Sequence, residues 1–320
     1  MLATLLISSL LIEPVTFLVL RDEPAIYSGQ LKDAASLAFS PNGAWLATGG
    51  LEGEVVLWAA DSCLGEHRLG KHEGAVQALA FSSDGRFFAS GDLYKTVKLW
   101  DLGGDGEALT PKELCSWKLD GAVLALAFSP DGKHLVVGSQ DNAALVFSLA
   151  VEDRDAKPRS IAHEYEVSTL AISHDGKTLA TGDGGGAVRT FKFDDLSARS
   201  SCKLPARVTG LAFSADDGTL FGSAADAGVH ALGVSDLAAR KDFKVPSFEA
   251  NALAITPDGK SLVIATQDAK LRIVNAATGA SEKTLEGHEG PVIQVAIAPS
   301  GSPIVSTSRD RTVRVVAFPR

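Results

Sequence analysis

One short turn recurs seven times along the chain at a nearly constant interval, and this repetition constrains the fold more than any other feature. In every copy an Asp, Asn or Ser precedes a glycine, as in "SPNG", "SPDG" and "TPDG". Asp-Gly and Asn-Gly pairs supply the positive φ angles that tight hairpins require. The turn glycines, at spacings of 42, 47, 44, 42, 41 and 42 residues, are Gly43, Gly85, Gly132, Gly176, Gly218, Gly259 and Gly301.

Short apolar runs flank every turn. At Gly85, for example, "ALAFS" precedes the turn, "FFASGD" follows it, and "TVKLW" comes next. Runs of this length that are rich in β-branched or aromatic residues, and that turn residues bound, predict strands rather than helices. A period of about 40–45 residues built from short strands predicts the blades of a β-propeller.

A fourth run completes each unit and is more polar, as in "LCSWKL" at 114–119. This polarity is typical of an outer strand with one face in water. We therefore predict an all-β, seven-bladed β-propeller of four-stranded antiparallel blades, forming a single domain over residues 21–320. Unit seven ends directly after its third strand, so an N-terminal strand within residues 25–30 is predicted to pair with the last blade and close the ring.

Residues 1–20 form an apolar segment with two open interpretations. The run before Glu13 is shorter than the about 20 residues that a membrane span requires, and it has the length of a signal-peptide core. However, no Lys or Arg precedes it and no clear cleavage site follows. The segment is either an export signal or lipid-side anchor, or a strand or helix packed on the domain. A cytoplasmic and an exported location therefore both stay open, and no membrane span is predicted.

The units resemble the repeats of the WD-repeat (β-transducin-like) seven-bladed β-propeller family. The resemblance covers residues 24–320 and is best in unit two, which ends in Trp100-Asp101, and in unit seven, which opens with Gly287-His288. It implies a structural hydrogen-bond network in each blade: a His before the first strand, a Ser or Thr in the second, an Asp in the second turn and a Trp in the third. The matching residues are His288, Ser306 and Asp310 in unit seven, His72 and Ser90 in unit two, and His163 and Thr181 in unit four.

The network departs from the family pattern in each of these units. Val316 stands at the Trp position of unit seven, Tyr94 at the Asp position of unit two, and Gly185 at that of unit four. A buried polar group that loses its partner costs more than the hydrogen bond itself. Because unit seven alone keeps His, Ser and Asp together, we expect His288→Ala to destabilise the protein more than His72→Ala.

The resemblance implies a non-catalytic scaffold that binds proteins or peptides through its loop faces, as a monomer or as a subunit of a larger complex. Exposed aromatic and Arg side chains are common anchors of interfaces. The formal net charge of −9 argues against a nucleic-acid partner, because phosphate binding needs clustered Lys and Arg. The candidate partner-binding residues are Leu93, Tyr94, Tyr165, Arg309 and Arg311.

The alternative is a propeller enzyme, lactonase- or lyase-like, with an active site in the central channel. His72, His163 and His288 precede inner strands and would share a face. However, Ser306 lies within a predicted strand rather than at the sharp elbow that a nucleophile needs. The Gly-rich run at 182–187 lacks a following helix for phosphate binding, and the three cysteines have no metal-site spacing. We predict no catalytic residue, cofactor or metal.

Overall fold

The alternating apolar runs and tight turns fold into successive hairpins, and four strands make each sheet. The computed structural model describes residues 25–27, 34–60, 66–103, 109–154, 156–226, 228–244 and 249–318. Seven antiparallel four-stranded sheets are arranged in a ring, as the sequence predicts. Each sheet is one blade and runs from an inner strand to an outer strand. Among the described residues no helix has the length and hydrophobicity that crossing a bilayer requires.

The strands follow one another in chain order, and the only helical segment among the described residues is a 3₁₀ turn at Val151–Asp153. The strands are β1 (Ala25–Tyr27) of blade seven; β2 (Ala34–Phe39), β3 (Trp45–Gly50), β4 (Val55–Ala59) and β5 (Glu66–Arg68) of blade one; β6 (Val76–Phe81), β7 (Phe87–Asp92), β8 (Thr96–Asp101) and β9 (Lys112–Lys118) of blade two; β10 (Val123–Phe128), β11 (His134–Ser139), β12 (Ala143–Ser148) and β13 (Arg159–Ala162) of blade three; β14 (Val167–Ile172), β15 (Thr178–Asp183), β16 (Ala187–Lys192) and β17 (Ala198–Lys203) of blade four; β18 (Val208–Phe213), β19 (Thr219–Ala224), β20 (Gly228–Gly233) and β21 (Ala239–Lys244) of blade five; β22 (Ala250–Ile255), β23 (Ser261–Thr266), β24 (Leu271–Asn275) and β25 (Ser281–Leu285) of blade six; and β26 (Val292–Ile297), β27 (Ile304–Ser308) and β28 (Val313–Val316) of blade seven.

Blade seven takes its outer strand from the start of the chain. Strand β1 pairs antiparallel with β28, with Ala25 opposite Val315 and Tyr27 opposite Val313. This is the place that the sequence analysis assigned to residues 25–30, of which 28–30 lie outside the described residues. The inner strands β26 and β2 also contact each other, so the ring is continuous from blade seven to blade one. The predicted N-terminal segment 1–20 lies outside the described residues.

The hydrophobic core is divided among the gaps between blades. Each of its seven clusters joins two neighbouring blades. Leu57 of blade one packs with Trp100 of blade two, for example, and Trp58 of blade one packs with Val305 of blade seven. The second strands are almost entirely buried, because both of their faces lie against a neighbouring blade. A blade alone would therefore expose both apolar faces to water.

The first turns follow the predicted hairpin chemistry, with one correction in blade five. Six of the seven predicted turn glycines have φ between +69° and +87°, but Gly218 does not. The preceding residue, Asp217, has φ +55°. It takes the position that a glycine, such as Gly132 in blade three, holds in the other turns. Asp tolerates this left-handed conformation better than most side chains. Its carboxylate also accepts bonds from the backbone N–H groups of His174 and Asp175 in blade four, both at 2.9 Å.

Candidate functional site

Two kinds of connection meet on one face of the ring, which we call the loop face. The entry loops lead from an outer strand to the next inner strand, and the second turns join the second and third strands. In blade two the Leu93 N–H donates to the Ala75 carbonyl at 3.0 Å and ties the second turn to the entry loop. The same bond recurs in the next five blades, from Gln140 to Ala122, Gly184 to Glu166, Ala225 to Arg207, Gln267 to Glu249 and Arg309 to Pro291.

A second set of backbone bonds joins an entry loop to the second turn of the preceding blade. The His72 N–H donates to Gly53 at 2.8 Å and joins blade two to blade one. Further bonds of this kind, at 2.7–2.8 Å, join blades two to five in sequence. The loops of this face are thus held on both sides, and their positions follow from the packing of the blades. These further bonds run from Leu119 to Lys95, from His163 to Asn142 and from Leu204 to Gly186.

Blade two carries a complete four-residue hydrogen-bond network. His72 Nδ1 lies 2.9 Å from Asp92 Oδ2, and its Nε2 lies 2.7 Å from Ser90 Oγ. Trp100 Nε1–H donates to Ser90 Oγ at 3.1 Å. One assignment satisfies every group: Nδ1–H donates to the carboxylate, and Nε2 accepts from the Ser90 hydroxyl. Burial lowers the pKa of His72 despite the nearby Asp92 carboxylate, so the ring is neutral at pH 7.

The acidic member of this network differs from the prediction. The family pattern places Tyr94 at the Asp position, which predicts that unit two lacks the acid. In the structure Asp92, at the end of β7, supplies the carboxylate, and its other oxygen accepts from the Thr96 N–H at 2.8 Å. The end of β7 thus brings a carboxylate within 2.9 Å of the ring of His72. Blade two is therefore the complete copy.

Blade four shows the same correction in a looser form. Asp183, rather than the predicted position Gly185, faces His163, with 3.4 Å between Nδ1 and Oδ2. Thr181 Oγ1 lies 3.2 Å from His163 Nε2. The carboxylate also caps the turn by accepting from the backbone N–H of Gly185 at 3.0 Å. Burial is again the main cause of the lowered pKa of His163.

Blade seven brings together its three predicted residues. His288 lies 2.9 Å from both Asp310 Oδ2 and Ser306 Oγ. Asp310 additionally accepts from the N–H groups of Glu289 and Thr312, each at 2.8 Å. Burial opposes ionisation of Asp310, but these hydrogen bonds outweigh it and hold its pKa well below the usual range. Burial also lowers the pKa of His288.

Blade six contains a charged substitute that the sequence analysis missed. Arg272, on the third strand, donates from Nη1 to Thr266 Oγ1 at 2.6 Å and to Asp268 Oδ1 at 2.8 Å. The Arg272 side chain is 9% exposed, and its bonds lower the pKa of Asp268 to about 2. The family pattern contains an Asp in the second turn, but it places the partner of that Asp, a His, before the inner strand. An Arg two residues beyond the turn was the available signal.

Tyr94 and Tyr165 occupy equivalent places on the loop face of blades two and four, although one belongs to a second turn and the other to an entry loop. Tyr94 stands at the second-turn position that Gly185 holds in blade four, and Tyr165 at the entry-loop position that Gly74 holds in blade two. A Cβ on Gly74 would lie 2.8 Å from Tyr94 Cγ, and one on Gly185 would lie 2.2 Å from Tyr165 Cδ2. Each ring therefore rests on a glycine between the entry loop and the turn. The residues remain 59% and 47% exposed.

The other candidate partner-binding residues lie on the same face. Leu93 is 41% exposed beside Tyr94. Arg309 and Arg311 are exposed in the second turn of blade seven, which adjoins blade one rather than the blades of the two tyrosines. Leu51, at the position of blade one that matches Leu93, is 52% exposed. The sequence analysis missed it, although the alignment of units already pairs the two residues.

The central channel opens on the loop face and contains a cavity of about 330 Å³. Glu166 and Arg207 are its charged lining residues, and no cluster of His, Cys, Asp or Glu suited to a metal occurs in the described part of the chain. Both ring nitrogens of His72 and of His288 are occupied within the blades. The neutral polar residues of the channel wall are Gln77, Gln140, Ser168, Thr209, Asn251 and Gln294.

The two complete His–Asp pairs predict an order of stability opposite to that expected from the sequence. The side chains of His72 and Asp92 are both 0% exposed. Without His72, the buried Asp92 carboxylate keeps one of its two hydrogen-bond donors, the Thr96 N–H. Asp310 keeps the Glu289 and Thr312 donors without His288. Unsatisfied buried groups cost about 1–3 kcal/mol each. We therefore expect His72→Ala to lower the denaturation midpoint more than His288→Ala in urea titrations, and an equal or larger effect of His288→Ala contradicts this.

The buried histidines also predict how stability depends on pH. The pKa values of His72, His163 and His288 are lowered by burial, whereas the unfolded chain binds protons near pH 6.5. The free energy of unfolding is therefore highest above pH 6.5 and falls as the pH drops towards 5. Each histidine contributes a slope of up to about 1.4 kcal/mol per pH unit. Urea titrations across this range should show a smaller slope for His72→Gln, and a slope equal to that of the wild type contradicts the assignment.

A comparison with known protein families agrees with the repeated blades of the structure. The family model described as WD domain, G-beta repeat (WD40) matches residues 23–59, 63–101, 113–148, 157–192 and 279–316, which together exceed half of the chain. These ranges correspond to blades one to four and blade seven; blade two carries the complete network. No curated protein matches the chain significantly. The repeated match and the seven-bladed ring show that this chain belongs to the WD40 family.

Proposed function

We propose that this protein is a non-catalytic scaffold that binds other proteins or peptides through its loop face. The observation that carries this proposal is the position of the exposed apolar side chains. In the part of the chain that the structure describes, five large apolar residues are exposed, and four of them lie on the loop face. Exposed apolar groups that cluster on one surface mark interaction sites. The four residues are Leu51, Leu93, Tyr94 and Tyr165.

The four side chains belong to one connected surface. The second turn that carries Leu51 is joined to the entry loop of blade two by the bond between His72 and Gly53. Tyr94 rests on that same entry loop. The next links are Leu119 to Lys95 and His163 to Asn142, which lead to the entry loop of Tyr165. A partner segment that follows the face from blade one to blade four would meet all four residues.

The loops are also held in place before any partner binds. Their backbone groups bond to each other and to neighbouring blades, and the polar networks of blades two and four anchor them from below. Loops on a rigid scaffold lose little conformational entropy on binding, and this favours affinity. The face is thus suited to recognition by shape and side-chain contact.

The proposal of a non-catalytic role rests on the burial and hydrogen bonding of the His and Ser side chains that could otherwise act in catalysis. The imidazoles of His72 and His288 are each bonded at both nitrogens. Ser90 is fully buried, and Ser306 is 1% exposed. These groups support the blades, which favours the scaffold over the channel enzyme.

Replacing both tyrosines tests the proposal. The Tyr94→Ala, Tyr165→Ala double variant should lose most binding of partner proteins, because aromatic anchors at interfaces contribute about 2 kcal/mol or more each. Because about half of each tyrosine is exposed, the denaturation midpoint should change little. Partners are identified by affinity capture from the native cells and mass spectrometry, and their Kd values are then measured with purified proteins.

Two control variants separate the surfaces of the ring. Val151, on the opposite face, is 76% exposed, and Val151→Ala should leave binding unchanged. Arg309→Ala with Arg311→Ala tests the sector of blade seven. Partner binding that survives the loss of both tyrosines but is lost in Val151→Ala would overturn the assignment of the loop face. Loss in the arginine variant alone would move the site to blade seven.

A further inference from the structure

The loop face between Tyr94 and Tyr165 combines apolar groups with acidic groups. This acidic tyrosine sector consists of the entry loops and second turns of blades two to four. Its carboxylates stand beside both tyrosines and on the blade between them. None of them forms an ion pair with a Lys or Arg within the described residues. They are Glu73, Asp120, Asp141, Glu164 and Glu166.

The basic residues of the sector do not neutralise these carboxylates. Lys118 Nζ donates to the Tyr94 carbonyl at 2.7 Å and to Thr96 Oγ1 at 3.3 Å, so its ammonium group stabilises the turn of blade two. Lys71 and Lys95 are exposed and lie at the blade-two end of the sector. Arg207 lines the channel near Glu166. Five carboxylates stand against four basic side chains when Arg207 is counted, so the sector has the same sign as the whole chain, whose net charge is −9.

Each tyrosine ring presents an exposed aromatic face next to one or two of these carboxylates. Each ring is covered by a glycine on one side and remains about half exposed. Glu73 is the neighbour of Gly74 beneath Tyr94, and Glu164 and Glu166 flank Tyr165 in the chain. A Lys or Arg side chain above such a ring gains attraction to the aromatic face and to the adjacent carboxylate. An acidic segment would be repelled at the same place.

We propose that the acidic tyrosine sector binds a cationic peptide segment of a partner protein, in which Lys or Arg residues alternate with apolar residues. The cationic side chains contact Tyr94, Tyr165 and the carboxylates, and the apolar side chains contact Leu51 and Leu93. This inference rests on the proposed function, because it names the partner of the same face. A second copy of this chain is disfavoured as the occupant, because two such sectors would repel each other.

The test uses the full chain and three fluorescent peptides of equal length and equal leucine pattern. One alternates Leu with Lys, one with Gln and one with Glu. Fluorescence anisotropy should give the lowest Kd for the Lys peptide and no binding of the Glu peptide. Raising the salt concentration from about 0.05 M to about 0.5 M should weaken the binding of the Lys peptide, because salt screens exposed ionic contacts.

Isosteric charge variants locate the contact. The Asp120→Asn, Asp141→Asn, Glu164→Gln triple variant should bind the Lys peptide about tenfold more weakly, since each exposed pair contributes only a few-fold. The matched control is Glu152→Gln with Asp153→Asn and Asp194→Asn on the opposite face, which removes as many carboxylates without touching the sector and should leave the Kd unchanged. The Tyr94→Ala, Tyr165→Ala variant should weaken the same peptide at least as much as the triple variant does.

Three outcomes overturn the inference. Equal losses in the triple variant and in the opposite-face control mean that net charge alone attracts the peptide. Equal binding of the Lys and Gln peptides, lost in the tyrosine variant, means that the face binds apolar peptides without regard to charge, and the proposed function then stands without the inference. Absence of binding by all three peptides at about 1 mM, the limit of weak specific contacts, also overturns it. Loss of captured partners in Val151→Ala alone would instead contradict the proposed function.

Discussion

A four-stranded sheet whose second strand is buried on both faces requires a neighbour on each side, and the rest of this structure depends on that requirement. Each apolar cluster joins two blades, and the cluster of Trp58 and Val305 joins the last blade to the first. The ring thus distributes its core over seven interfaces of similar kind. The polar connections on the loop face follow the same plan, because most of them link an entry loop to the turn beside it or to the preceding blade.

The sequence was sufficient to predict most of the fold, because strand periodicity and turn glycines are local properties. Local patterns were less informative where a side chain acts across a turn. Asp92 and Asp183 were missed because the family pattern places the acid within the turn, whereas the end of the second strand brings a carboxylate to the same imidazole. Asp217 replaces a turn glycine because bonds from blade four support its conformation, and no local pattern contains those partners.

The arrangement of the candidate site also depends on contacts that local sequence patterns do not contain. Tyr94 and Tyr165 were predicted as exposed anchors, but their equivalence depends on the packing of each ring on a glycine from the other connection. Arg272 was missed because it replaces a His from a different part of the blade. In each case the network satisfies buried polar groups, while the exposed residues above it differ from blade to blade. This division allows one sector to gain a binding surface without loss of the supporting bonds.

The central claim is that the loop face is held as rigidly as the blades beneath it, and native-state hydrogen exchange tests it most directly. The amides of Leu119 and His163, in entry loops of the loop face, donate to the second turns of blades two and three, while that of Val97 lies within a buried strand. The account predicts that all three exchange only through global unfolding, with the same free energy and the same dependence on denaturant. Rapid exchange at Leu119 and His163, with Val97 still protected, would show that the loops open independently and would contradict the account.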